Sequence, residues 1–184
     1  MLNAPVPGID REQRLRQLMA DHGSSVLQVS YLYLKDYPLA QDAAQTVFLK
    51  VWEALANPSA ATRSALLSPA ATPADAKAWL MRITVNTLKN ILKSREFRLY
   101  AKATPLDRLP VPACADPLPD DTVLSAVLSL PEKYRAVVIL HYYEGLPLKA
   151  AAEALHVPQA TVRTRLHRAK KLLHPMLKGW YFDE

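Results

Sequence analysis

Apolar residues recur at helical spacing along most of the chain, and the alternation typical of strands is hard to find. The pattern predicts a first helix over residues 10–20, an interruption at 22–24 and a second apolar run over 26–34. Because proline disfavours helix at the residue before it, Pro38 is expected to break the pattern again. A third helix is then predicted over 39–56.

The composition changes twice after this helix. Residues 57–75 are dominated by Ala, Ser, Thr and Pro, which predicts a long loop, and a basic amphipathic helix is predicted over 76–99. The segment 104–120 is dense in proline and predicts an extended tether. The fold class predicted is therefore all-α, with two helical domains, 1–103 and 121–184, joined by a Pro-rich linker.

The second domain shows a regular succession of short helices. They are predicted at 122–129, 131–143, 148–155 and 159–173. Pro131 suits the first turn of its helix, Gly145 is expected to end that helix, and Pro175 is expected to end the last one.

The last two of these helices form the pattern of a helix-turn-helix. Alanines at 150, 151, 152 and 154 allow a close crossing, and an inward stripe is formed by Val157, Val162, Leu166, Ala169 and Leu173. The outward side carries Thr161, Arg163, Thr164, Arg165, His167, Arg168, Lys170 and Lys171, without a carboxylate. Arg is the best bidentate donor to guanine, so the pattern favours a helix that reads the major groove. The alternative is a solvated basic face of an ordinary bundle.

Charge supports a polyanionic partner without identifying it. The formal net charge is +6, and half of the residues are hydrophobic, which is enough for a packed core. Nucleic acid and an acidic membrane surface both fit this balance.

Several function classes are disfavoured by what the sequence holds. Cys114 is the only cysteine, so neither an internal disulfide nor a thiolate zinc cluster is expected, and no cofactor or metal is predicted. The five histidines are scattered, with no nucleophile–base pattern, so we do not expect an enzyme. Residues 1–10 lack the features of a secretory signal, and no apolar run is long enough to insert in a membrane, so a cytoplasmic location is expected.

The C-terminal helix then carries a family resemblance. The segment Val162–Ala169 (VRTRLHRA) resembles the promoter-reading helix of the extracytoplasmic function (ECF) sigma factors, in the sigma-70 family. The preceding LPEKYR at 130–135 and YEGL at 143–146 are similar to that family's lead-in. The resemblance implies that minus-thirty-five DNA is contacted by Thr161, Arg163, Thr164, Arg165, His167 and Arg168.

The first domain resembles the same family, in the same order along the chain. Residues 40–52 (AQDAAQTVFLKVW) are similar to its polymerase-binding helix, and 79–86 (WLMRITVN) to its minus-ten element. The resemblance implies polymerase contacts by Asp42, Gln45, Phe48, Leu49 and Trp52. It implies minus-ten contacts by Arg82, Asn86, Lys89 and Asn90.

These assignments have alternatives in the residues themselves. Phe48, Leu49 and Trp52 are more apolar than a free surface requires, which suits a protein interface, but Phe48 and Trp52 are equally compatible with a core. Trp79, at the start of its helix, is expected to be core. The sequence departs from the family at Thr46, where an acidic residue is usual, and at Asn90, where Asp is common.

The resemblance implies a sigma factor whose partners are core RNA polymerase, promoter DNA and an anti-sigma factor. A stand-alone helix-turn-helix regulator would explain the C-terminal domain equally well. It would give no reason for the two N-terminal segments.

Overall fold

The computed structural model describes residues 10–68, 71–94 and 121–181, and every regular element among these residues is a helix. The described α-helices are α1 Arg11–Leu34, α2 Tyr37–Ala56, α3 Ala60–Thr62, α4 Pro73–Lys93, α5 Asp121–Ser129, α6 Glu132–Val138, α7 Leu148–Leu155 and α8 Gln159–Tyr181. Two π-helical stretches, Arg63–Leu67 and Ile139–Tyr143, continue α3 and α6. The predicted all-α class is confirmed.

The prediction of an interruption at 22–24 is wrong, because α1 runs through this segment as one helix of 24 residues. Gly23 costs only about 1 kcal/mol relative to Ala inside a helix. Leu18 and Val26, on either side of it, are fully buried, and their packing outweighs that local preference. The chain turns instead at Lys35, whose φ of 58° lies in the left-handed region that commonly ends helices.

The prediction that Pro38 breaks the helical pattern is wrong, because Pro38 lies in the first turn of α2. A proline is tolerated there because the first backbone N–H groups of a helix have no partner within it. The Asp36 carboxylate caps this end by accepting a hydrogen bond from the backbone N–H of Leu39 at 2.9 Å. The helix therefore begins at Tyr37, two residues earlier than predicted.

The predicted loop over 57–75 is largely helical. It forms α3 and the π-helical stretch Arg63–Leu67, in which Leu66 is buried against the core. α4 then begins at Pro73 behind a capping box formed by Thr72 and Asp75, which accept each other's backbone N–H. The hydrogen bond from the Thr72 side chain, and then the one from its backbone N–H, lower the pKa of Asp75. Proline density misled the prediction, because Pro58 and Pro73 lie outside or at the start of these helices.

The N-terminal unit, residues 10–94 as described, is built on α1, α2 and α4 packed against one another. Its core is formed by side chains without measurable exposure from all three helices, among them Leu32, Val47 and Leu80. Trp79 is 5% exposed, which confirms its expected place in the core. The α4 helix ends at Lys93, because Ser94 is extended, and residues 95–99 of the helix predicted to reach residue 99 lie outside the described residues.

The C-terminal unit, residues 121–181, follows the predicted succession with one extension. Gly145, with φ of 67°, ends the π-helical stretch as expected, and α7 has the predicted bounds. The prediction that Pro175 ends the last helix is wrong, because α8 continues through it to Tyr181. Proline removes one helical hydrogen bond, and the turns on both sides of it remain helical here.

The Pro-rich linker predicted at 104–120, including Cys114, lies outside the described residues. Within the described ranges, no helix is both long and apolar enough to cross a bilayer. Those same ranges contain no group of three or more His, Cys, Asp or Glu side chains placed to hold a metal ion.

Candidate nucleic-acid interface

The α7 and α8 helices form a helix-turn-helix whose crossing is lined by small and apolar residues. Ala151 and Ala154 on α7 are buried, and Val162 and Ala169 on α8 have no exposed surface. Between the two helices, His156 adopts a left-handed conformation with φ of 55° and ends α7. The predicted inward stripe of the second helix is therefore its packed face.

The opposite face of α8 is open and basic. Arg163, Thr164, His167 and Arg168 are exposed, whereas Thr161 and Arg165 are half-buried. No Asp or Glu occurs within α8. Of the six side chains predicted to contact minus-thirty-five DNA, the structure thus brings four onto one free helical surface. The other two lie where α8 approaches its neighbours.

A shallow groove beside α8 adds two residues that the sequence analysis did not place in the site. The groove has a volume of about 330 Å³ and is lined by Lys133, Tyr134, Ala160, Thr161, Thr164, Arg165 and Arg168. A hydrogen bond from Arg168 lowers the pKa of the Tyr134 phenol, and the Lys133 ammonium lies 5.0 Å from the centroid of the same ring. Cations grouped around a phenol in this way suit a phosphate of the DNA backbone.

The residues predicted to read minus-ten DNA lie on α4, and two of them are engaged with the C-terminal unit. Lys89 Nζ donates a hydrogen bond to the carbonyl oxygen of Leu155 at 2.9 Å. Asn86 Nδ2 lies 3.2 Å from His156 Nε2, at hydrogen-bonding distance. Burial at this contact lowers the pKa of Lys89. The turn of the helix-turn-helix therefore covers this part of α4.

The other two predicted minus-ten residues differ from this pair. Asn90 is exposed. Arg82 is half-buried and lines a cavity of about 320 Å³ that lies between α4, the π-helical stretch at 63–67 and α7. The four residues share one helix but do not form one open surface.

The residues predicted to bind polymerase share the outer face of α2. Asp42 and Gln45 are exposed, Leu49 is 64% exposed and Trp52 is 38% exposed. Phe48 is partly buried against the core. A large apolar side chain in water next to polar groups is typical of a protein interface. Phe48 thus fits the core alternative in part, whereas Trp52 is exposed and does not.

Arg11, at the start of α1, organises one end of this face. Its guanidinium carbon lies 4.1 Å from the centroid of the Trp52 ring, and its Nη2 donates to the Trp52 carbonyl oxygen at 3.3 Å. A guanidinium stacked over indole is attracted by the negative face of the ring. The sequence analysis missed Arg11, because a contact between residues 41 positions apart has no local signal.

Comparison with known proteins bears on both units. The family described as "Sigma-70, region 4" matches residues 120–173, which contain α5 to α7 and most of α8. The ECF RNA polymerase sigma factor SigE of Mycolicibacterium smegmatis is 31% identical over 170 residues, or 88% of this chain and 60% of that protein. Over these lengths the chain is similar to the ECF group of the sigma-70 family.

Two further proteins are similar to this chain. SigW of Bacillus subtilis, also an ECF RNA polymerase sigma factor, is 35% identical over 114 residues, which cover 54% of this chain and 61% of SigW. The chain thus spans about 60% of the length of SigE and of SigW. The sigma factor RpoE of Bartonella quintana, solved with the anti-sigma factor NepR, shares the fold with a TM-score of 0.70. That similarity holds at 19% identity and covers 92% of this chain and 98% of RpoE.

The structure adds Lys133, Tyr134 and Arg11 to the residues that the sequence indicated. The sequence signal for Lys133 and Tyr134 was their place in the first turn of α6, which follows Pro131. The sequence could not show that this turn faces α8.

Proposed function

We propose that this chain is a sigma factor that binds core RNA polymerase and directs promoter-specific initiation of transcription. The observation that carries the proposal is the open basic face of α8, which belongs to a helix-turn-helix in a chain similar to ECF sigma factors. Exposed Arg163 and Arg168 can donate to base edges and phosphates in a major groove. Their contacts would read the minus-thirty-five element.

The minus-thirty-five site is proposed to comprise Thr161, Arg163, Thr164, Arg165, His167 and Arg168. Lys133 and Tyr134 extend it toward the DNA backbone, because they lie in the groove that α8 lines. Contacts to phosphate fix the position of a helix on the duplex, and contacts to base edges provide the specificity. The proposal therefore assigns register to the groove and sequence reading to the exposed arginines.

The N-terminal unit is proposed to bind the polymerase and capture the melted minus-ten strand. The polymerase contacts assigned to it are Asp42, Gln45, Phe48, Leu49 and Trp52, and the minus-ten contacts are Arg82, Asn86, Lys89 and Asn90. Exposed Leu49 supports the first assignment, since it is an apolar anchor without an intramolecular cover. An asparagine amide, which both donates and accepts, supports the second.

The division of labour extends over the whole chain. We assign residues 1–103 to polymerase and minus-ten binding, 104–120 to the linker and 121–184 to minus-thirty-five binding. Two modules on one tether gain avidity, because the first contact raises the effective concentration of the second. The protein is proposed to act in the cytoplasm by binding alone, without enzymatic activity, cofactor or metal. An anti-sigma factor is proposed as a further partner.

Run-off transcription with purified core polymerase on a promoter library tests the proposal. A sigma factor gives discrete start sites with core enzyme alone, whereas a stand-alone helix-turn-helix regulator gives none. Asp42→Arg places a cation on the proposed polymerase face and should weaken competition for core enzyme without changing duplex binding by the C-terminal unit. Arg16→Glu, with a charge reversal of equal size on an exposed part of α1, serves as the control. The absence of any core-dependent start site would overturn the proposal.

A further inference from the structure

The N-terminal and C-terminal units contact each other along α4 and α7, with a smaller contact between α1 and α6. The residues joined by the hydrogen bonds of this contact are far apart in the chain: Lys89 and Leu155 are 66 positions apart, and Asn86 and His156 are 70. No local preference can therefore produce the contact. The stability of the contact therefore depends on the interactions between the two surfaces.

A largely buried ion pair joins the two units. Lys77 Nζ on α4 is 3.0 Å from Glu144 Oε2, in the turn between the π-helical stretch at 139–143 and Gly145. The Glu144 side chain is only 2% exposed, and the Lys77 side chain 28% exposed. A carboxylate withdrawn from water in this way needs a compensating charge nearby, and Lys77 provides it from the other unit.

A second cation reaches across the same boundary. Arg135 on α6 is 8% exposed, and its Nη2 lies 3.4 Å from the carbonyl oxygen of Tyr33 in the last turn of α1. The carbonyl end of a helix attracts positive charge. Arg135 also donates from Nη1 to the carbonyl oxygen of Leu128 at 2.9 Å, so the same guanidinium is bonded to both units.

The contact has a direct consequence for α4. The hydrogen bonds of Asn86 and Lys89 to the turn between α7 and α8 occupy groups that the proposed function assigns to minus-ten DNA. A base cannot approach those groups while the turn is present. The arrangement described by the structure is closed with respect to that strand.

We propose that the Lys77–Glu144 ion pair is a latch that holds the free chain closed, and that separation of the units uncovers the minus-ten residues of α4. The role of the uncovered residues rests on the proposed function, whereas the latch rests only on the contacts of the two units. An ion pair suits a reversible latch, because the attraction lost on opening is largely offset by hydration of both charges. A partner that binds the open arrangement more tightly then shifts the population toward it.

Small-angle X-ray scattering of the full chain measures the latch without any nucleic acid. Lys77→Ala leaves the Glu144 carboxylate buried and unpaired when the units are closed, but hydrated when they separate. With allowance for the partial exposure of Lys77, the ratio of open to closed chains should rise about tenfold. The radius of gyration should increase accordingly, while helicity measured by circular dichroism stays unchanged.

Two further variants and a control make the test specific to the pair. Glu144→Lys alone should open the chain, because the new ammonium group would face the ammonium group of Lys77 across the contact. The swap Lys77→Glu/Glu144→Lys should restore the wild-type radius of gyration. Arg16→Ala, on the exposed side of α1, should leave it unchanged. An unchanged radius in both single variants would overturn the latch, as would an increase that the swap fails to reverse.

A separate measurement connects the latch to DNA. Lys77→Ala should bind a fluorescent single strand from a promoter identified by run-off transcription about tenfold more tightly than the wild type, as the open population rises. If the units separate without this gain in affinity, the link between opening and minus-ten binding is wrong. If no start site is found by run-off, the proposed function fails, and the scattering result for the latch still stands.

Discussion

The two helices proposed to touch DNA present their polar faces in opposite ways. The α8 helix holds Arg163 and Arg168 in water, whereas α4 has Asn86 and Lys89 hydrogen-bonded to the C-terminal unit. The basic face of α8 is open to a duplex, whereas Asn86 and Lys89 of α4 become available only if the units part. Under the proposed function, this difference means that the two promoter elements are read from different arrangements of the chain.

The largest expected effect concerns the buried side of α4. Trp79→Ala removes a ring that is 5% exposed and should lower the free energy of unfolding by about 3–5 kcal/mol. Urea denaturation followed by circular dichroism measures the loss. A change below about 1 kcal/mol would show that the ring is not anchored in the core.

The next effect concerns the open face of α8. Arg163→Ala should weaken binding of a promoter duplex by about 1–3 kcal/mol and relax specificity at one position, because one base-edge contact is lost. Fluorescence anisotropy at fixed salt measures the affinity, and Arg16→Ala controls for the loss of one positive charge. Equal losses in the two variants would mean that Arg163 acts only through the overall charge.

A smaller effect is expected where α4 is covered. Asn86→Ala should change duplex binding by the free chain by less than about 0.5 kcal/mol, because Asn86 faces the C-terminal unit and not the solvent side of α8. The same variant should reduce initiation in run-off transcription with core polymerase. A loss of duplex affinity as large as that of Arg163→Ala would remove the contrast between the two helices.

The smallest effect is a pH dependence at the boundary of the units. Burial lowers the pKa of His22 below its usual 6.5, and Asp21, Lys77, Glu144 and Arg14 are the charged groups around it. The unfolded chain then binds a proton more readily than the folded one below about pH 6.5, so stability should fall as the pH falls through that value. His22→Gln should flatten the decline measured by urea denaturation between pH 7.5 and 5.5. A steeper decline in the variant would reverse the sign assigned to His22.

Helix periodicity predicted the fold class and the bounds of α7 from the sequence, since amphipathic stripes are local. It failed at 22–24 and at Pro175, where packing of neighbouring turns outweighs the preference of a single residue. It also failed over 57–75, because prolines at helix starts were interpreted as signs of a loop.

The candidate site, like the fold, could be predicted only where its features are local in sequence. The exposed residues of α8 followed from spacing and charge, but the cover over Asn86 and Lys89 did not. Contacts between residues 66 and 70 positions apart do not affect the spacing of apolar residues near either partner, so the sequence pattern does not reveal them. The same holds for Arg11 on Trp52 and for the pairing of Lys77 with Glu144.

The left-handed conformation of His156 links two tasks in one residue. It turns the chain from α7 into α8, and the same backbone geometry directs the imidazole toward Asn86. The ring is thus preorganised by the turn, so little additional freedom is lost when the units meet. A change in the length of this turn would shift α8 relative to α7 and, at the same time, move the imidazole away from Asn86.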